Sequence, residues 1–203
     1  MYLNPLGIVS NMPDSGAASA APKEVRSSPL PSMFARYRDG FVSHMKGSVP
    51  GYDTSAGHDG SLDGLYHMLS YHLGWSDSSG RPVDGDGSQG KALRPTLCLF
   101  ACESLGGNWS QARPAASALE MVHNFSLVHD DIQDGDLERR HQPTVWSLWG
   151  QSQALVSGNA LRSVADQTAL ELAELGVPTS KALKATQILT NACLEMIQGQ
   201  CLD

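Results

Sequence analysis

Three carboxylates near the middle of the chain have the spacing that most directly suggests chemistry. Asp130, Asp131 and Asp134 stand at positions i, i+1 and i+4, so on a helix Asp130 and Asp134 share one face and Asp131 lies beside them. Like charges this close repel, and protonation or a cation relieves the repulsion. Mg²⁺ typically takes one or two carboxylates plus substrate phosphate. A solvated acidic helix end is the alternative, but acidic residues at a helix C-terminus oppose the helix dipole, which favours a metal site.

Basic side chains on both sides of this aspartate cluster favour a phosphate ligand. Arg139 and Arg140 follow it by five and six residues, and guanidinium groups bind phosphate oxygens through paired N–H donors; neutralisation of the aspartates is the alternative. Lys91 and Arg94 stand three residues apart where a helix is predicted to begin, a position that favours anions, although Lys91 is also compatible with an exposed charge. His123 lies two helical turns before the first aspartate, where a hydrogen-bonded core histidine is the alternative.

Helices are predicted to position these residues, because apolar side chains recur at helical spacing and no β pattern is visible. Leu93, Leu97, Phe100 and Ala101 are predicted to line one apolar face of the third helix, and Ser110 is predicted to cap the fourth. The predicted helices cover 32–46, 62–73, 91–105, 110–134, 152–175 and 179–203. The predicted fold class is therefore all-α.

The charge, the apolar runs and the cysteine spacing exclude several classes of protein. The net charge of −7 excludes the broad positive field of a nonspecific nucleic-acid binder. The apolar runs are too short to span a membrane, and four cysteines without framework spacing fit a reducing cytosol. No signal peptide is visible, so a cytoplasmic location is expected. Residues 1–30, rich in Pro, Ser, Ala and Gly, are predicted to form a disordered leader, followed by a helical domain over 31–203.

Three segments together resemble one family. They are GKALRP at 90–95, ALEMVHNFSLVHDDIQDGDLERRHQPTVW at 118–146, and the Trp-Gly pair at 149–150. In this order and spacing they are similar to the trans-isoprenyl diphosphate synthases, which include the farnesyl and geranylgeranyl diphosphate synthases. The resemblance extends over about 62–203 and implies the N-terminal portion of an isoprenoid-synthase-type helical bundle.

The resemblance implies a set of site residues. Asp130, Asp131 and Asp134 match the first aspartate-rich motif of the family, in which Asp130 and Asp134 would bind Mg²⁺ directly. Arg139 would hold the allylic diphosphate, which is dimethylallyl, geranyl or farnesyl diphosphate. The residues that match the isopentenyl diphosphate site are Lys91, Arg94, His123 and Arg140.

Product length and assembly are further implications of the resemblance. Phe125 lies five residues before the motif, about 7.5 Å deeper along the helix, and Ser126 beside it is small. In the family this pattern is more typical of geranylgeranyl than of farnesyl synthases, and ordinary core packing of Phe125 is the alternative. Members of the family usually form homodimers, so a homodimer is expected.

The resemblance also has departures. The family's second aspartate-rich motif, which follows its GQxxD stretch, is not found in these 203 residues, and Gly158-Asn159 stands where relatives commonly have Gly-Asp. We therefore expect a chain truncated at its C-terminus, with exposed apolar faces on its last two helices and little activity alone. The alternative function is a noncatalytic, synthase-like subunit that modulates a full-length synthase. A terpene cyclase is disfavoured, since it needs no isopentenyl site.

Overall fold

The computed structural model describes residues 32–52, 62–83 and 92–202. The predicted leader 1–30 and Lys91 lie outside the described residues. Helices dominate the described ranges, which confirms the all-α fold class. In chain order the elements are α1 Ser32–Ser48, α2 Asp63–His72, α3 Leu93–Ser104, a 3₁₀ turn Trp109–Ala112, α4 Arg113–Asp134, β1 Glu138–Arg139, β2 Gln142–Pro143, α5 Val145–Trp149, α6 Gln151–Leu170 and α7 Thr179–Gln200.

The long central helix α4 begins and ends where its sequence dictates. Pro114 occupies the first turn, where its missing N–H costs no intrahelical hydrogen bond. Gly135 adopts φ 71°, and its N–H donates to the carbonyl of Asp131. This left-handed conformation suits glycine and stops the helix. All three predicted aspartates therefore lie in the last turn of α4.

The core lies mainly between α4 and α6, the pair with the most extensive contact among the described elements. Small buried residues occur on both helices, among them Ala116 on α4 and Gly158 on α6. Helices α1 and α3 pack against α4, and α2 packs against α5 and α6. The large side chains buried in this core include Tyr37, Phe41, Leu69, Leu99, Met121, Phe125 and Leu161. Burial of this apolar surface is the main force that holds the helix carrying the aspartates in place.

The apolar face predicted on α3 is exposed in the structure. Leu93, Leu97 and Phe100 are 49, 48 and 44% exposed, and Ala101 is exposed as well. Thr96 and Leu99 are buried instead. Helical spacing identifies an apolar stripe, but packing against α1 and α4 decides which stripe is covered.

Three further expectations change in the structure. The side chain of Asn108 accepts the N–H of Ser110 at 3.0 Å, so Asn108 caps a 3₁₀ turn before α4 and the predicted cap at Ser110 is wrong. Helix α6 ends at Leu170 and gives way to turns, five residues earlier than predicted. A two-stranded antiparallel hairpin, β1–β2, is present, although no strand was predicted. These short elements depend on local turn chemistry, which carries no periodic signal.

The outer helix α7 buries little of its own surface. Ala182 and Cys193 are its buried residues, and its exposed apolar side chains are Leu183, Ile188, Leu194 and Ile197. Helix α6 also exposes Leu155 and Val156, so the expected apolar exposure on the last two helices is confirmed. No helix in the described ranges is both long and apolar enough to cross a bilayer.

Candidate active site

The last turn of α4 divides the three predicted aspartates between two environments. Asp130 is partly exposed and Asp134 is exposed, and they stand one helical turn apart. Burial, followed by the charge of Asp134, raises the pKa of Asp130, and the charge of Arg139 opposes them. A carboxylate whose ionised form is disfavoured, as in Asp130, gains free energy from a cation with a preference for oxygen ligands.

Asp131 lies in the interior and holds Arg139. Its relative exposure is 1%, and Arg139 Nε donates to Asp131 Oδ1 at 2.6 Å. Burial raises the pKa of Asp131, whereas the hydrogen bond and charge of Arg139 act in the opposite direction. The hydrogen bond to Asp131 fixes the direction of the Arg139 guanidinium, and the charge of Arg139 acts on Asp130.

A tight hairpin presents Arg139. In β1–β2 Arg139 pairs with Gln142, and the connecting residues Arg140 and His141 have φ of 54° and 65°. Positive φ is strained for residues with side chains and often marks functional sites. The hydroxyl of Tyr71 donates to the Pro143 carbonyl at 2.7 Å, which ties the hairpin to α2.

The metal prediction stays a prediction at this point. In the ranges the structure describes, no three His, Cys, Asp or Glu side chains gather as a ready-made metal site. The exposed pair Asp130 and Asp134 nevertheless fits Mg²⁺, which needs only one or two carboxylates when water and substrate phosphate complete its shell. Asp131 contributes to this corner through Arg139 in the structure, and its predicted role as a metal ligand is untested.

The predicted residues of the second anion site influence one another electrostatically. Burial, followed by the charges of Arg94 and Arg140, lowers the pKa of His123 to about 4. The same two arginines act on Glu120, whose pKa burial raises. The structure therefore brings Arg94, His123 and Arg140 to one region near α4. Glu120 was missed, although its position three residues before His123 could have revealed it.

His72, at the end of α2, also belongs to this region and was missed. Its pKa is lowered to about 3, first by burial and then by the charges of Arg140 and Arg139. The backbone of Asn124 on α4 acts in the opposite direction through a hydrogen bond. No sequence signal connects residue 72 to the hairpin, because their proximity is tertiary.

The low pKa of His72 predicts a pH-dependent stability. Because the unfolded histidine titrates near 6.5 and the folded one near 3, the unfolded chain binds the proton first as pH falls, and stability is lost below about pH 6.5. This residue should remove up to about 1.4 kcal/mol per pH unit from the free energy of unfolding. Urea titrations at pH 7, 6 and 5 should give a shallower decline for His72→Gln than for the unaltered chain; equal slopes would contradict the assignment.

A cavity extends from Asp130 between α4 and α7. Its volume is about 140 Å³, and its lining includes Phe125, Ser126, His129 and Met196. The ring of Phe125 meets that of His129 edge to face, with centroids 4.8 Å apart. The predicted chain-length residues thus line an apolar space next to a predicted metal ligand, and their roles stay predictions.

Gly158 on α6 provides the space that His129 occupies. A Cβ atom at position 158 would lie 2.4 Å from His129 Nε2, so the imidazole sits directly against the glycine backbone. His129 Nε2 also lies 3.4 Å from the carbonyl of Leu155. The lack of a side chain at Gly158 therefore allows His129, the residue before Asp130, to take this position.

Comparison with known proteins matches the sequence of this chain to one family. The model of the family described as "Polyprenyl synthetase" matches residues 86–203. A (2E,6E)-farnesyl diphosphate synthase of Mycobacterium tuberculosis (strain ATCC 25618 / H37Rv) is 47% identical over 136 residues, which are 67% of this chain and 36% of the relative. A geranylgeranyl diphosphate synthase of the same strain is 40% identical over 139 residues, 68% of this chain and 38% of the relative.

Solved structures show the same likeness. A polyprenyl synthetase from Streptomyces coelicolor A3(2) superposes with a TM-score of 0.70 at 38% identity, covering 84% of this chain and 46% of that one. A geranylgeranyl pyrophosphate synthetase from the archaeon Geoglobus acetivorans gives a TM-score of 0.67 at 29% identity, covering 84% and 48%. The chain spans little more than a third of the length of the curated relatives it matches.

Proposed function

Because the chain belongs to the polyprenyl synthetase family, we propose that its site serves a Mg²⁺-dependent prenyltransferase. The substrates would be isopentenyl diphosphate and an allylic diphosphate, and the product farnesyl or geranylgeranyl diphosphate. The observation that carries the proposal is the pair Asp130 and Asp134 beside the ion pair of Asp131 with Arg139. This corner combines carboxylates for a cation with a guanidinium for a diphosphate.

Different residues of the chain would bind the metal and the diphosphate. Asp130 and Asp134 would hold Mg²⁺, which supplies positive charge to the departing diphosphate. Arg139 would bind oxygens of the same group, and its hydrogen bond to Asp131 fixes its direction before the substrate arrives. Removing the freedom of that side chain in advance lowers the cost of binding.

A second cluster would bind the other diphosphate. The charges of Arg94 and Arg140 both act on His123, so the three side chains lie in one region. The two guanidinium charges attract an anion although the protein is acidic overall. The low pKa of His123 keeps its ring neutral near pH 7, so it would act as a hydrogen-bond partner. Lys91, from the predicted set, would join this cluster.

The cavity beside Asp130 suits the hydrocarbon part of a substrate. In the proposed reaction the allylic C–O bond breaks and its electron pair leaves with the diphosphate. The double bond of isopentenyl diphosphate provides the electrons of the new C–C bond, and a proton is then lost. Phe125 and Met196 line the cavity and would keep water away from the cationic carbon, and Phe125 with Ser126 would limit the length of the product.

Calorimetric titration of residues 1–203 with inorganic pyrophosphate tests the site. We expect pyrophosphate to bind at least about tenfold more tightly in 5 mM Mg²⁺ than in EDTA, because the metal would bridge the carboxylates and the anion. Turnover of labelled isopentenyl diphosphate by residues 1–203 alone should be little or none, since the relatives named as synthases are far longer. Equal affinity with and without Mg²⁺ would sink the proposed site, and robust turnover would contradict the expected low activity.

A second candidate function is a noncatalytic subunit that associates with a full-length synthase or with a second copy of the chain. The exposed apolar residues of α6 and α7, such as Val156 and Leu194, favour it, because apolar patches often mark protein interfaces. Adding residues 1–203 to a full-length synthase separates the two candidates. A change in that synthase's rate supports the subunit, and an unchanged rate with a monomeric chain argues against it.

A further inference from the structure

Two buried acceptor atoms near the hairpin lack a hydrogen-bond partner among the described residues. They are Asp131 Oδ2 and His72 Nε2. Asp131 is 1% exposed, so its second oxygen has no access to bulk solvent. A buried polar atom without a partner destabilises the folded protein, and native proteins rarely leave one.

The two residues line the same small cavity. Its volume is about 30 Å³, and its walls also include Tyr71, Arg139 and Thr144. A space of 10–15 Å³ or more accommodates a water molecule. The cavity therefore has room for one or two water molecules.

The chemistry of the two atoms selects the occupant. The backbone of Asn124 raises the pKa of His72, which is the effect of a carbonyl that accepts from the ring. We assign the ring nitrogen other than Nε2 as the donor to that carbonyl, so in the neutral ring Nε2 is an acceptor. Asp131 Oδ2 belongs to a carboxylate whose other oxygen accepts from Arg139, so it is an acceptor as well. Two acceptors cannot bond each other, whereas one water donates to both.

We propose that a buried water molecule links His72 Nε2 to Asp131 Oδ2, and that His72 is a positioning residue for Arg139. Through the water, the carboxylate of Asp131 is held at both oxygens. It therefore presents Oδ1 to Arg139 Nε at 2.6 Å in one orientation. The consequence for diphosphate binding rests on the proposed function, but the water and the fixed orientation do not.

A high-resolution crystal structure of the chain tests the water directly. We expect one ordered water within 2.7–3.2 Å of both His72 Nε2 and Asp131 Oδ2. The cavity without such a water, or a direct contact of the two side chains, would overturn the proposal. This measurement involves no substrate and no metal.

Hydrogen exchange at the Arg139 Nε–H group, followed by NMR, tests the positioning. In His72→Phe, which removes the acceptor, we expect exchange at least fivefold faster than in the unaltered chain. His72→Gln, whose amide oxygen accepts from the water, should restore most of the protection. His67→Phe, an equivalent change elsewhere on α2, is the matched control and should leave exchange unchanged. Exchange that is the same in His72→Phe, or equally fast in both His72 variants, contradicts the proposal.

Titration with inorganic pyrophosphate and Mg²⁺ then tests whether the positioning of Arg139 by His72 affects binding of the anion. His72→Phe should weaken binding about tenfold, as expected for a residue that orients a ligand-binding group, and His72→Gln should bind nearly as well as the unaltered chain. If the unaltered chain itself does not bind pyrophosphate, the proposed function fails while the crystal and exchange results still decide the water. If it binds and His72→Phe binds equally well, the positioning role is wrong.

Discussion

Replacing Asp130 with asparagine is expected to weaken the Mg²⁺-dependent binding of pyrophosphate to residues 1–203 by about 100-fold, or about 2.7 kcal/mol. Asparagine keeps the shape and one oxygen but removes the charge that would bind the metal. The fold should survive, because burial and the charge of Asp134 already disfavour the ionised carboxylate. The free energy of unfolding should therefore stay equal or rise slightly. Calorimetry and urea unfolding of the same samples measure the two effects.

Asp136→Asn is the matched control for this variant. Asp136 is an exposed carboxylate just beyond the end of α4, so its loss changes the net charge equally without touching the exposed pair. We expect pyrophosphate affinity to change less than threefold, as for a screened surface charge. A similar loss in both variants would mean that general charge, and not a metal site, governs binding. Loss of helicity in Asp130→Asn would mean that the carboxylate is structural.

The placement of Asp130 and Asp134 on one helix face follows from the sequence, because the features that produce it are local. The spacing of Asp130 and Asp134 places them on one helix face wherever that helix packs. Pro114 and Gly135 mark the ends of the same helix through their own backbone preferences. These features depend on neighbours within a few residues, so no tertiary information is needed.

The division of roles among the aspartates depends on the fold. Asp131 is buried and Asp130 is not, because α4 turns one side toward the core and the hairpin. The hairpin itself rests on positive φ at Arg140 and His141, residues that no turn rule selects. His72 reaches the region from α2 across more than fifty residues of chain. Tertiary packing likewise leaves the apolar stripe of α3 that contains Leu97 exposed.

Replacing Arg139 with methionine should destabilise the protein by about 3 kcal/mol at pH 7. The change leaves the carboxylate of Asp131 buried without its ionic partner, and a broken buried pair typically costs 3–5 kcal/mol. Methionine retains the length of the side chain, so little packing is lost. Arg81→Met is the matched control, because Arg81 pairs with Asp77 at 3.0 Å while 80% exposed, and exposed pairs contribute about 0–1 kcal/mol. Urea unfolding of both variants measures the difference.

A double-mutant cycle separates the buried charge from other effects of Arg139→Met. In Asp131→Asn combined with Arg139→Met the unpaired charge is gone, so the double variant should be more stable than Arg139→Met alone by about 1–2 kcal/mol. Its binding of pyrophosphate should stay as weak as that of the single variant, because the guanidinium is still missing. Recovery of stability would show that Asp131 is the partner of Arg139. Binding that does not recover would show that Arg139 itself is needed for the diphosphate. Additive losses of stability would instead mean that the two side chains act independently, and the contact between them would then have no part in preparing the site.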